Sequence, residues 1–124
     1  MSGVALAAGA AVTPGRADAR PAGNVRHQVF FWLKRPGHVG DRDALVAGLK
    51  TLSVIPQIRE LHVGVPAGTE QRDVVDASFD VSELMVFDTL ADQKSYQDHP
   101  AHHAFVAACS PLWARVVVYD SVPA

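Results

Sequence analysis

Four side chains that can donate, accept or transfer a proton lie within one short stretch of the chain: Tyr96, His99, His102 and His103. A neutral imidazole, with an ordinary pKa of about 6.5, can remove a proton next to a carbonyl group at neutral pH. A tyrosine hydroxyl can donate a hydrogen bond to the enolate oxygen that then develops. These residue types therefore indicate proton-transfer chemistry on a carbonyl compound, and this chemistry needs no metal ion.

Pro100 sets the local structure of this stretch. A proline is tolerated in the first turn of a helix, because its missing N–H would have no partner there. The sequence therefore predicts a break after Tyr96 and a new helix over about residues 100–108. His99 then lies near the N-terminus of that helix.

The adjacent histidines of the new helix point in different directions. His102 is three residues before Phe105 and shares its face, whereas His103 is rotated from His102 by about 100°. We therefore expect His102 to face inward and His103 outward. Because these two side chains diverge and no cysteine or close carboxylate completes a ligand set, we expect no metal site that includes them and His99.

The same residues also have a purely structural interpretation. In it, His99 caps the helix, His102 bonds a buried backbone carbonyl, and Tyr96 packs at the end of the preceding helix. This alternative requires no turnover.

The composition bounds the class of protein. A length of 124 residues supports one domain. The chain is 48% hydrophobic and 19% charged with a net charge of −2, so it lacks the basic region that nucleic acid would require. No apolar run is long enough to span a membrane, and we expect neither kind of partner. The single cysteine, Cys109, is interpreted as a small buried packing residue.

Residues 1–24 differ from the rest of the chain, because alanine, glycine and proline prevail there. The run 17–19 has the small-x-small form of a signal-peptidase site, but the positively charged region that such a signal needs is missing. We interpret the segment as either a disordered arm or the remnant of an export signal. The protein is expected to be cytoplasmic as written and exported in the second case, with the folded domain over residues 25–124.

Apolar periodicity predicts the elements that position these residues. Asp41 is predicted to cap the first helix, Thr89 opens the second with a capping signal, and residues 69–78 form a long connection. The predicted strands are 27–34, 58–65, 80–87 and 112–119, and the predicted helices are 41–53, about 89–96 and 100–108. This order predicts a ferredoxin-like split βαβ fold of the α+β class (βαββαβ), with a four-stranded antiparallel sheet and its helices on one face.

The first strand is apolar on both faces. His27 and Phe31 share one face, and Phe30 and Trp32 occupy the other. A half-exposed antiparallel strand does not need a second apolar face unless something covers it. We therefore expect a subunit partner on the open face of the sheet.

Five segments together resemble the stress-responsive A/B barrel domain family over about residues 25–120. They are the strand 27–34, Ile55-Pro56, Ser78-Phe79-Asp80, the pattern Tyr96-x-x-His99-Pro100-x-His102, and the strand 113–120. The resemblance implies a dimeric α+β barrel, in which two sheets pack face to face. It also implies a pocket between sheet and helices for a small hydrophobic ligand, without a cofactor.

One branch of that family, olivetolic acid cyclase, closes a linear polyketide by an aldol condensation. Its catalytic tyrosine and histidine match Tyr96 and His102 here, and a pocket histidine on its first strand matches His27. Glu83 occupies a position that is apolar in that branch, so a different substrate is expected. The start of the new helix gives His99 and Pro100 structural roles, and the positions that match the apolar pocket lining of that branch are Phe31, Phe105, Trp113, Val116 and Val118.

The sequence leaves two main functions open. One is cofactor-independent cyclase or lyase chemistry on a small hydrophobic carbonyl compound. The other is a non-catalytic, small-molecule-binding or stress-protective dimer, in which the histidines only orient the ligand and Glu83 pairs with a polar ligand group or with His27. The monooxygenase activity of related cofactor-free barrels is supported by analogy of fold alone.

Overall fold

The computed structural model describes residues 24–124, so the expectation for the N-terminal arm lies outside the described residues. Two single 3₁₀ turns, Thr51–Val54 and Ser110–Leu112, follow the first and last helices. The strands are β1 (Val25–Leu33), β2 (Glu60–Gly64), β3 (Val81–Phe87) and β4 (Trp113–Ser121), and the helices are α1 (Val39–Lys50), α2 (Leu90–Asp98) and α3 (Pro100–Cys109). Among these residues no helix has the length and hydropathy to cross a membrane.

The four strands form one antiparallel sheet in the order β2-β3-β1-β4. The chain order is that of the ferredoxin-like α+β fold, with the second helix divided into α2 and α3, and the predicted fold class is confirmed. β1 lies between β3 and β4, and its odd-numbered side chains are buried. The side chains that β1 directs inward therefore lie at the centre of the molecule.

The core lies between the sheet and the helices, where Leu45, Leu49 and Phe87 are fully buried. α1 and α3 approach closely at Gly48. A Cβ atom at this position would collide with the Sγ atom of Cys109, so the close approach requires glycine. Cys109 is itself buried, and burial raises the pKa of its thiol. Cys109 is therefore a packing residue, as the sequence indicates.

The start of α1 differs from the predicted one. The helix begins at Val39, and its N-cap is His38, whose Nδ1 accepts a hydrogen bond of 3.1 Å from the N–H of Asp41. The carboxylate of Asp41 instead accepts two hydrogen bonds from Arg35, at 2.7 and 2.8 Å. The prediction that Asp41 caps this helix was wrong, because the helix begins two residues before Asp41, which therefore lies within the first turn.

Asp80 fastens the end of β1 to the chain that leads into β3. Its carboxylate accepts hydrogen bonds from the N–H groups of Leu33, at 2.8 Å, and Gly37, at 2.9 Å. Its own N–H donates to the carbonyl of Phe31 at 2.8 Å. Gly37 has a φ of 73°, a conformation that favours glycine, so the turn after β1 depends on both residues.

The second face of the sheet is partly covered by the chain itself. The ring of Phe79 packs edge-on against Phe30 with centroids 5.1 Å apart, and Ser78 accepts a hydrogen bond of 2.9 Å from the indole of Trp32. Phe30 and Trp32 are therefore half-buried within one protomer. Tyr119 on β4 remains 62% exposed on the same face. The sequence assigned this face to a subunit partner alone and missed the covering segment.

Candidate functional site

A cavity of about 390 Å³ lies between the inward face of the sheet and helices α2 and α3. It is open to solvent on the side of β4, where Val116 and Val118 are 37% and 46% exposed. The nine residues that the sequence assigned to a catalytic or pocket role all line this cavity: His27, Phe31, Glu83, Tyr96, His102, Phe105, Trp113, Val116 and Val118. The structure thus brings these positions together, while their chemical roles stay predictions.

The N-terminus of α2 is formed as the sequence predicts. The hydroxyl of Thr89 accepts a hydrogen bond of 3.0 Å from the N–H of Asp92, which satisfies one of the free donors of the first turn. The helix continues to Asp98, two residues beyond its predicted end at Tyr96. This extra half turn places Tyr96 inside the helix, with its ring directed toward the sheet.

The break between α2 and α3 determines how the two catalytic candidates meet. Pro100 is the first residue of α3, and Nδ1 of the N-cap residue His99 accepts a hydrogen bond of 3.0 Å from the N–H of Ala101. Because the chain changes direction at His99, Tyr96 near the end of α2 and His102 in the first turn of α3 face the same cavity. Their ring centroids are 4.7 Å apart.

The protonation states of this pair suit a donor and a base. Burial, together with the nearby Glu83 carboxyl, raises the pKa of the Tyr96 hydroxyl far above neutral pH, so the hydroxyl keeps its proton. Burial lowers the pKa of His102, although a hydrogen bond to the backbone carbonyl of Gln97 acts in the opposite direction. A neutral imidazole with a protonated phenol beside it is therefore the dominant state at pH 7.

His27 is held by two polar neighbours at the opposite side of the cavity. Its Nδ1 lies 2.6 Å from Oδ1 of Asp120, and the amide of Gln93 donates to the same oxygen at 3.2 Å. A carboxylate only accepts hydrogen bonds, so Nδ1 carries a proton that it donates to Asp120, and Nε2 is the ring nitrogen that remains for the cavity. Asp120 therefore fixes the tautomer of His27.

Sequence reasoning missed Asp120 and Gln93. Asp120 is the direct cross-strand partner of His27 in the β1–β4 pair, so the signal is the strand register. Gln93 lies three residues before Tyr96 on α2, and this helical spacing places both on one face.

Glu83 is the most deeply buried acidic residue at the cavity, with 3% of the whole residue exposed. Its Oε1 is 4.0 Å from Nε2 of His27, beyond hydrogen-bond distance, and its Oε2 has no hydrogen-bond partner among the described residues. Burial raises the pKa of this carboxyl to about 8, so most of it is protonated at pH 7.

The walls of the cavity are aromatic and aliphatic. The ring of Trp113 lies 5.1 Å from Phe31 and 5.8 Å from Phe105, measured between centroids. A few polar groups among apolar walls are typical of a small-molecule site. The arrangement can hold an apolar molecule and move a proton on it.

The histidines of α3 diverge as helical geometry requires. His102 lines the cavity, whereas His103 is exposed. Within residues 24–124 no group of three or more histidine, cysteine or acidic side chains is arranged to hold a metal ion.

Comparison with known proteins identifies the family to which the chain belongs. The stress responsive A/B barrel domain, also called Dabb, matches residues 25–123 of the chain. No curated protein sequence matches the chain.

Three solved structures are similar to it over most of their length. The hydroxynitrile lyase from Passiflora edulis is 25% identical with a TM-score of 0.69, covering 84% of this chain and 96% of that chain. A Dabb family protein with a ferredoxin-like fold from Mesorhizobium loti is 26% identical with a TM-score of 0.66, over 81% and 96% of the two chains. A dimeric ferredoxin-like protein of unknown function from Thermobifida fusca is 22% identical with a TM-score of 0.67, over 81% and 91%.

Proposed function

Because the chain belongs to the stress-responsive A/B barrel domain family, we propose that it is a homodimer that makes or breaks a carbon–carbon bond next to a carbonyl group, without a cofactor. The substrate is a small hydrophobic carbonyl compound. One observation carries this proposal: three side chains able to transfer or donate protons, His27, Tyr96 and His102, lie around one apolar cavity.

The proposed reaction is of the aldol type. In the direction of bond formation, His102 takes a proton from the carbon next to the carbonyl, and the electron pair moves onto the oxygen as an enolate. The Tyr96 hydroxyl donates a hydrogen bond to that oxygen. The enolate carbon attacks a second carbonyl carbon, and the alkoxide that forms takes its proton from the imidazolium of His102. The base therefore returns to its neutral state at the end of each cycle.

One comparison and one sequence resemblance support the proposal of lyase or cyclase chemistry. The Passiflora edulis protein that resembles this chain is a hydroxynitrile lyase. The tyrosine and histidine of the olivetolic acid cyclase branch match Tyr96 and His102, whose rings are in contact here. A buried carboxyl at Glu83 makes the cavity more polar than in that branch, so we propose a substrate that carries a further polar group.

A screen for stereoselective carbon–carbon bond formation tests the proposal. We expect the protein to join one or more apolar aldehydes, such as benzaldehyde, to cyanide or acetone with an excess of one enantiomer, because the cavity presents a single face of the aldehyde to the nucleophile. Chiral chromatography measures the excess. The control is the Tyr96→Phe variant, which should give nearly racemic product at the rate of the uncatalysed reaction in buffer.

The alternative function is a binding protein without turnover. The polar groups of Glu83 and His27 at the inner end of an apolar cavity favour it, because a polar ligand group would satisfy both. Saturable binding of aldehydes combined with racemic product at the buffer rate would contradict the catalytic proposal and support this one.

The homodimer is proposed to form through the open face of the sheet. The Thermobifida fusca structure with the same fold is dimeric, and this face carries the half-buried Phe30 and the exposed Tyr119, whose rings are 6.1 Å apart. The segment that includes Phe79 covers only part of the face, so apolar surface remains for a second copy.

Tyr119→Glu is expected to convert the dimer into a monomer at micromolar concentration. The side chain is 62% exposed in one protomer, so the charge costs little there, but in the interface it would be buried without a partner. Size-exclusion chromatography with light scattering measures the mass, and Tyr119→Phe is the matched control. A monomeric unmodified protein, or a Tyr119→Glu dimer of unchanged affinity, would contradict this interface.

A further inference from the structure

Glu83 is a buried carboxyl without a completed set of hydrogen bonds. Its side chain is 2% exposed and lines the cavity, and Oε2 has no hydrogen-bond partner among the described residues. Buried polar groups are almost always hydrogen-bonded, because an unpartnered one lowers stability. The aldol-type chemistry proposed for His102 and Tyr96 does not use this carboxyl, so its position in the cavity requires another explanation.

His27 presents the complementary group. Its Nδ1 donates to Asp120, so the ring nitrogen that faces Glu83 is Nε2, 4.0 Å from Oε1, while Oε2 of the same carboxyl is the oxygen without a partner among the described residues. This gap is too long for a direct hydrogen bond, but one oxygen atom can lie about 2.8 Å from both atoms. With burial raising the pKa of Glu83 to about 8, the carboxyl acts as a donor at pH 7. The pair therefore offers one donor and one acceptor to the same point.

We infer that Glu83 and His27 form a hydroxyl-binding subsite in the cavity, so that the natural ligand is an apolar compound with a free hydroxyl group. A hydroxyl accepts from the carboxyl of Glu83 and donates to Nε2 of His27 at the same time. A carbonyl oxygen can only accept, so it would leave Nε2 of His27 without a donor. The inference rests on the proposed function for the cavity as the substrate site, and it specifies the substrate class.

The rest of the cavity determines what carries the hydroxyl. The rings of Phe31, Phe105 and Trp113 form its walls, and Tyr96 and His102 lie on the helix side. A volume of about 390 Å³ accepts a molecule the size of a substituted phenol or a hydroxylated aromatic ketone. The hydroxyl enters beside the sheet, while the reacting carbonyl faces the helices.

Three small probes that cannot undergo the proposed reaction test the subsite: 4-ethylphenol, its methyl ether 4-ethylanisole, and 4-ethyltoluene. Their Kd values are measured at pH 7 by NMR titration of the full chain. We expect 4-ethylphenol to bind about 10-fold or more tightly than the ether and the hydrocarbon, because only the phenol satisfies both partners. The ether or the hydrocarbon binding as tightly as the phenol would overturn the inference.

Variants at Glu83 test whether this side chain is the source of the preference for phenol. Glu83→Leu should abolish the preference, so that the phenol and the hydrocarbon have about equal Kd values, because the variant lacks the carboxyl donor. Glu83→Gln, whose amide still donates, should keep part of it. Glu70→Leu makes the same replacement at an exposed loop position and should leave every Kd unchanged. A phenol preference that survives Glu83→Leu would overturn the inference, and the comparison of probes on the unmodified protein holds even if that variant does not fold.

These outcomes separate the subsite from the proposed catalysis. The probes carry no carbonyl group, so their binding does not depend on turnover. Selectivity for phenol without product in the aldehyde screen would support the subsite and contradict the proposed catalysis. Product in the aldehyde screen without selectivity for phenol would support the proposed catalysis and contradict the subsite.

Discussion

Replacing His102 with glutamine is expected to lower kcat by about 10²–10⁴-fold on any carbonyl substrate of this protein, the usual contribution of general acid–base catalysis. The glutamine amide approximates the volume of the imidazole but cannot remove a proton, so substrate affinity should change little. Tyr96→Phe should act in the same direction, because it removes the hydrogen bond to the developing enolate oxygen. Steady-state kinetics separates the effect on kcat from that on KM.

The neighbouring histidine provides the matched control. His103 is one residue further along α3 and exposed, so His103→Gln should leave kcat unchanged. The double variant of His102 and Tyr96 should lose less activity than the two single losses combined, because residues that act as one unit are not additive. Full activity in both single variants would exclude them from the chemistry, and equal losses from His103→Gln and His102→Gln would indicate damage to the helix.

Glu83→Gln is expected to raise the free energy of unfolding at pH 8 by several kcal/mol. Burial raises the pKa of the Glu83 carboxyl from 4.5 to about 8 in the folded protein. Between these pH values the folded state keeps a proton that the unfolded state releases, so stability falls as the pH rises from 4.5 toward 8. The full shift corresponds to roughly 5 kcal/mol as an upper bound. A neutral glutamine does not titrate and therefore removes this loss.

Urea unfolding at pH 5 and pH 8 measures the effect, with the protomer concentration held fixed because a dimer is more stable at higher concentration. The difference between the two pH values should be smaller in Glu83→Gln than in the unmodified protein. Glu70→Gln, a change at an exposed loop position, should behave like the unmodified protein. An identical pH dependence in all three proteins would show that Glu83 titrates normally.

The two expectations for Glu83 together describe a trade-off between stability and function. A side chain that destabilises the folded protein at neutral pH can be replaced by one that raises the free energy of unfolding. Glu83→Gln is therefore expected to gain stability and to lose part of the selectivity for hydroxyl compounds. A side chain whose replacement improved stability without any effect on binding would have no role in the cavity.

The fold was predictable because local signals and periodicity agree. Thr89 and Pro100 mark helix starts by their own chemistry, and the alternation in β1 identifies its buried face. The error at Asp41 has a specific cause. Aspartate is a preferred cap, but the helix begins at Val39, so Asp41 lies within its first turn and His38 takes the capping position instead.

The site was only partly predictable. The resemblance to a family supplied positions such as Tyr96 and His102, but the partner of His27 depends on strand register, which a single sequence does not fix. Asp120 becomes visible only when β4 is paired with β1. The free oxygen of Glu83 likewise depends on what surrounds it in three dimensions, because the sequence shows the residue but not its missing partner.

The two tryptophans of the chain lie on opposite faces of the same sheet. Trp113 lines the cavity against Phe31, whereas Trp32 lies on the open face with the guanidinium of Arg115 4.3 Å from its ring centre. The protein therefore contains two intrinsic fluorophores that sample different environments. With Trp32 changed to phenylalanine, we expect the remaining emission to respond to occupancy of the cavity, and with Trp113 changed, to the proposed contact between protomers. Ligand binding and assembly can thus be recorded as separate optical signals from one unlabelled chain.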